Sequence, residues 1–228
     1  MSIIETEIAK LRARAYQVVN HLRRQLILLE EGVRARDWQR LLGIEKLREE
    51  ALEEDMRLDR RCARILALHQ PVANDLRLVL AVLRMHFYLD EIGEQLAAVG
   101  RRLAHAMPEI ASAATEEVPI VQLVSSVRRL LELCLEAFFQ NDTEKAKRIN
   151  AEDEVVDHSY NECMRKIVRA LTEPLSEKEA TAWLEMAVAV KTLEKIADYA
   201  IDIADASIYY AEGVYYWHRF ARRSGAAS

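Results

Sequence analysis

Six acidic residues in this chain recur at helical spacing: Asp90 with Glu94, Asp153 with Asp157, and Glu194 with Asp198 each lie four apart. Residues four apart on a helix sit one above the other, so each pair brings two carboxylates to one face. Asp202 and Asp205 extend the last pair into a stripe. Like charges so placed repel by about 0.2–0.5 kcal/mol per pair, and they need either open solvent or a counter-charge. Divalent or trivalent ions (Mg, Mn, Fe or Zn) supply a counter-charge well, because each accepts several carboxylate oxygens at once. One such pair reads as a solvated helix face. Repetition of the pair in both halves makes these residues candidate metal ligands.

The helices that must carry them are legible from apolar periodicity. Val190, Leu193, Ala197, Ala200 and Ala204 recur at spacings of three and four beside the acidic stripe, which predicts a buried face that a neighbouring helix approaches closely. Residues 3–33, 38–68 and 71–105 read as three helices, with Pro71 in the first turn of the third. Residues 107–119, with a proline near each end and small and acidic residues between, read as a linker. The pattern then restarts with helices over 120–139, 144–172 and 174–216.

The halves repeat in register. Asp37 and Asp142, and Ile44 and Ile149, lie 105 residues apart, whereas Asp90 and Glu194 lie 104 apart. An all-α chain of two tandem three-helix bundles follows, residues 1–108 and 115–228. If the fifth and sixth helices are antiparallel neighbours, Asp153, Asp157, Glu194 and Asp198 face one another across a groove. In the first half the positions matching Asp153 and Asp157 are Arg48 and Leu52. Two readings stand there. Arg48 neutralises Asp90 and Glu94 with its forked guanidinium, or the site shifts along the helix to Asp55 and Asp59. The first is favoured. His86, four before Asp90, is a further candidate ligand, though a lone histidine among apolar residues is more often packed.

Composition narrows the function. Of 228 residues half are hydrophobic, enough for one or two cores, and only six Gly and four Pro interrupt long helical patterns. A net charge of −5 argues against general nucleic-acid binding, which needs a basic surface. No apolar run reaches the roughly 18 residues of a membrane span, and the first residues lack a signal-peptide pattern, so a cytoplasmic protein is expected. Cys62, Cys134 and Cys163 are isolated and read as buried reduced thiols. None of the six histidines follows an acid by three residues, as ferritin-type di-iron sites require. No nucleophile–base constellation or phosphate loop stands out either, and an enzyme is not expected. The aromatic cluster Tyr209, Tyr210, Tyr215, Tyr216, Trp217 and Phe220 is either a partner-binding patch or packing.

Residues 65–83, ILALHQPVANDLRLVLAVL, together with YLDEIGE from Tyr88, AEDEVVDHSY from Ala151 and KTLEKIADYAIDIADASIYYAEG from Lys191, resemble the PhoU-type phosphate uptake regulators of bacteria. The resemblance implies a six-helix protein with acidic motifs that hold metal clusters. It places the second cluster on Asp153, Asp157, Glu194 and Asp198. In the first cluster it matches only Asp90 and Glu94, because Arg48 and Leu52 replace the expected ligands. It further implies a negative regulator that contacts the ATPase subunit of the phosphate transporter and the phosphate-sensing histidine kinase. Such a protein would reach the membrane only through those partners, with a homodimer compatible. The competing readings are a metal-binding or metal-storage helical protein, and an adaptor for another transporter.

Overall fold

The computed structural model describes residues 3–110 and 118–215. The first half contains α1 (Ile3–Ala35), α2 (Trp38–Leu41), α3 (Gly43–His69) and α4 (Ala73–Ala106), followed by one 3-10 turn at Met107–Glu109. The second contains α5 (Ile120–Gln140), α6 (Thr143–Lys147), α7 (Asn150–Ala170) and α8 (Glu177–Glu212). In each half a short helix of four or five residues follows the first helix, and the last helix is the longest. Among the described residues there is no strand, and no helix is long and apolar enough to cross a membrane.

The repeat is visible at the residues that make the turns. Arg36 and Asn141 both adopt left-handed backbone, at φ 56° and 55°, and end α1 and α5. Asp37 and Asp142 then cap the short helices, accepting from the backbone N–H of Arg40 at 3.1 Å and of Lys145 at 2.9 Å. An aspartate there satisfies a donor that the first helical turn leaves unpaired, commonly about 1 kcal/mol of stability. Further breaks separate α2 from α3 at Leu42 and α6 from α7 at Arg148 and Ile149, where the apolar pattern alone predicted continuous helices over 38–68 and 144–172. Periodicity persists through the break because Leu42 and Ile149 keep near-helical backbone.

Two other boundaries differ from the sequence reading. Pro71 lies before α4 rather than in its first turn, with Val72 as the extended N-cap. Helix α8 starts at Glu177 rather than at Pro174, because Ser176 and Glu179 form a reciprocal capping box. It stops at Glu212, where Gly213 takes up φ 73°. Tyr209, Tyr210 and Tyr215 pack around arginines, with Arg84 over both the Tyr209 and Tyr215 rings. Tyr216, Trp217 and Phe220 lie outside the described residues.

The core is built around α4 and α8, which form the most extensive helix pair among the described residues. They run antiparallel. Arg102 pairs with Glu185 at one end, Tyr88 and Tyr199 rings lie 6.0 Å apart in the middle, and Arg77 donates to the Tyr210 carbonyl at 3.2 Å at the other end. All five residues of the predicted apolar stripe on α8 are buried. Leucine and isoleucine along that face, such as Leu193, Ile196 and Ile203, each stabilise the fold by about 1.5–3 kcal/mol through burial. The first helices of the halves also meet: Arg23 donates to both Glu132 oxygens, at 2.9 and 2.7 Å, and Ser125 donates to Glu30 at 2.8 Å. Gly100 lets α4 lie against the α2–α3 junction, since a Cβ there would come within 2.8 Å of the Leu41 carbonyl oxygen.

All three cysteines are buried. Burial pushes the thiols of Cys62 and Cys163 up to about 12, and Cys134 higher still, with Asp59, Glu162 and Asp205 adding to the effect at the three sites respectively. A thiol so protonated is a poor nucleophile. We expect the native protein to show no rapid reaction with a thiol-specific chromogenic disulfide at pH 8, and the denatured chain to titrate three thiols. Immediate reaction of even one thiol in the native protein would contradict the burial.

Candidate functional site

Because α4 and α8 are antiparallel and adjacent, they bring the two acidic motifs of the third helices level with each other. The hydroxyl of Tyr199, next to Asp198, lies 3.3 Å from a Glu91 oxygen, next to Asp90. Helix α3 flanks α4 and α7 flanks α8, so each motif has its own second helix from which to draw partners.

In the first half that partner is Arg48. Its guanidinium donates from three nitrogens to three carboxylates: Nε to Glu94 at 2.8 Å, one terminal nitrogen to Asp55 at 2.6 Å, and the other to Asp90. The arrangement is the first of the two sequence readings, with one addition. Arg48 neutralises Asp90 and Glu94, as favoured, and Asp55 joins them while Asp59 stays exposed. Arg48 and Asp55 are buried, whereas the Asp90 and Glu94 side chains are about half-exposed. Burial opposes the charge on Arg48, but its bonds to Asp55, Asp90 and Glu94 outweigh this and hold its pKa above the ordinary value. Burial likewise pushes Asp55 upward, with Arg48 opposing. His86 is close enough for its field to act on Asp55, and its Nδ1 is buried without a hydrogen-bond partner.

Gly93, between Asp90 and Glu94, is part of this arrangement. A Cβ there would lie 3.1 Å from the Arg48 Cδ and 3.5 Å from the Gln25 Oε1. The glycine therefore leaves space for the arginine stem. A divalent ion does not fit this half as it stands, because a guanidinium occupies the point on which the three acids converge.

The second half carries acids where the first carries Arg48 and Leu52. Asp153 is buried on α7, and Asp157 is half-buried one turn on. Burial raises the Asp157 pKa, and the charges of Glu194 and Glu154 raise it further against a smaller opposing effect from Lys191. Asp157 and Glu194 thus sense each other across the α7–α8 groove. Glu194 also accepts from Lys191 at 2.7 Å, which holds the lysine pKa up, and Asp198 adds to that effect. Lys191 is exposed and also lies over the Tyr160 ring at 5.2 Å. It can move away without leaving a buried charge. The donor set here suits a hard cation, being all carboxylate. Among the described residues no three His, Cys, Asp or Glu side chains converge closely enough to hold an ion, so binding would require these side chains to rotate inward. His158 is exposed.

Residues 120–207, within the half that retains all four acids, match the family model described as PhoU domain. The chain is similar to the "Phosphate-specific transport system accessory protein PhoU homolog" of Pseudomonas aeruginosa, with 31% identity over 156 residues. That stretch is 68% of this chain and 63% of the relative, so the chain spans just under two thirds of that protein's length. Its fold is similar to that of the crystal structure of PhoU from Pseudomonas aeruginosa, with a TM-score of 0.82 at 25% identity, covering 92% of this chain and 99% of that one. It is also similar in fold to the phosphate transport system regulatory protein PhoU from Streptococcus pneumoniae, with a TM-score of 0.78 at 21% identity, covering 94% and 99%. A match confined to the second half would leave the first unassigned, but the shared fold runs through both halves, and the chain belongs to the PhoU family.

Proposed function

We propose that this chain is a non-enzymatic regulatory protein of phosphate uptake. It acts as a negative regulator, through contacts with the ATPase subunit of a phosphate transporter and with a phosphate-sensing histidine kinase on the cytoplasmic side of the membrane. The observation that carries this reading is the agreement of name and fold: a relative at 31% identity is named as an accessory protein of phosphate-specific transport, and a PhoU structure matches nearly the whole chain. In this reading residues 1–108 and 115–228 are two structural repeats, joined through α4 and α8. The carboxylates Asp153, Asp157, Glu194 and Asp198 are the ion-responsive part, supported by the burial of Asp157 and the repulsion from Glu194 that together raise its pKa. A cation bound there would remove that repulsion and fix α7 against α8.

The test is genetic and biochemical together. A strain lacking the chain should take up phosphate faster and express its phosphate-starvation genes in phosphate-rich medium, and the intact gene should reverse both. The tagged protein should recover the transporter ATPase subunit and the kinase from detergent-solubilised membranes. Unchanged uptake and unchanged starvation-gene expression in the deletion strain would refute the proposal.

A further inference from the structure

The two halves place opposite charges at one buried position. Arg48 and Asp153 lie 105 residues apart, in corresponding helices, and both are buried. A second substitution goes with the first: Gly93 lies 104 residues before Ala197. The glycine makes room for the Arg48 stem, and the half that carries the shorter aspartate has a methyl group instead. We propose that Arg48 is a built-in cation, which holds the first half permanently in the arrangement a divalent ion would create. That half takes up no ion as folded, and Asp55, Asp90 and Glu94 become a divalent-cation site only when the guanidinium is removed.

Three observations carry the proposal. One guanidinium contacts three separate carboxylates with three different nitrogens, so the acids surround a common point from two helices, as ligands surround a hard cation. An external ion cannot easily take that point, because displacing a buried arginine strands its charge away from water. Two further buried acceptor or donor atoms without a hydrogen-bond partner lie beside the group. These are Oε1 of the buried Gln25, facing Gly93, and Nδ1 of His86, whose field reaches Asp55. Among the described residues no three acids stand close enough to hold an ion, and in this proposal Asp55, Asp90 and Glu94 close in once the guanidinium is removed. The inference concerns the first half alone and does not depend on the phosphate reading.

The experiment uses the full chain carrying Asp153→Ala and Glu194→Ala, so that the second half contributes no ion binding. Arg48→Ala in that background should melt lower in chelator, and excess Mn, Mg or Zn should restore roughly 5–10 °C at a hundredfold excess over Kd. The same background with Arg48 intact should not respond, and adding Asp55→Asn should abolish the recovery. Absence of recovery with all three ions, in a variant that is helical by circular dichroism, overturns the proposal. Should Arg48→Ala fail to fold, the protein with Arg48 and an intact second half remains informative. Asp90→Asn with Glu94→Gln should leave its Mn uptake in equilibrium dialysis unchanged, and a loss of half or more of the bound Mn would overturn the proposal equally.

Discussion

Arg48→Met should lower the free energy of unfolding by about 3–5 kcal/mol at pH 7, the cost of breaking a buried ion pair by removing one partner. Most of that loss belongs to Asp55, which is as buried as Arg48 and would keep its charge without a counter-ion. Asp90 and Glu94 reach solvent and contribute less, because water and salt screen them. The deficit should depend on pH in a definite direction. Without Arg48 the buried Asp55 has a folded-state pKa above its unfolded one, so protonation favours the folded variant. The penalty is therefore fully present above that raised pKa and is relieved as the pH falls through it. Urea unfolding of both proteins at pH 7 and pH 5 measures this. A loss below 1 kcal/mol at pH 7, or a deficit that grows on acidification, would contradict the buried triple contact. Replacing Arg48 and Asp55 together by apolar residues should recover much of the stability, since a dry core at that position carries no desolvation cost.

The second large effect is expected in the other half. If the second half holds an ion as proposed, Asp153→Ala with Glu194→Ala should remove most of any divalent ion bound, and with it any rise in melting temperature produced by that ion. Alanine at Asp90 and Glu94 should leave bound metal unchanged, because those acids already hold Arg48. The pH dependence again has a worked sign. Asp157 is raised in the folded state by burial and by Glu194, so ionising it works against folding. Metal-free protein should therefore gain stability as the pH falls through the raised Asp157 pKa, and Asp157→Asn should flatten that dependence. Metal analysis of the purified variants, combined with melting curves in chelator and in saturating Mn, distinguishes the halves. Equal metal loss from both pairs of substitutions would show the asymmetry to be wrong.

These expectations separate what was readable along the chain from what was not. Helix faces were readable because burial imposes its period locally: Val190, Leu193, Ala197, Ala200 and Ala204 have the spacing of one face, and all five are buried. The repeat was readable because Asp37 and Asp142 do the same work at the same place, each capping a short helix. The breaks after those short helices were not, since Leu42 and Ile149 keep helical backbone and the apolar rhythm runs on through them. The Ser176–Glu179 capping box is a local signal, but Pro174 two residues earlier obscured it.

The acids at 90 and 94 and at 194 and 198 announced themselves by charge and spacing, properties of single helices that sequence carries in full. Their environment is a different matter. Periodicity states which face of a helix is covered and says nothing of which helix covers it, because contacts between residues more than a hundred positions apart depend on how whole helices pack. The antiparallel pairing of α4 with α8, which brings Glu91 to Tyr199 and sets the two motifs level, was decided by tertiary structure. So was the fate of the first motif. Sequence offered Arg48 as a neutralising charge or Asp55 as a displaced ligand, and only the packing of α3 on α4 joined both to Asp90 and Glu94 around one guanidinium.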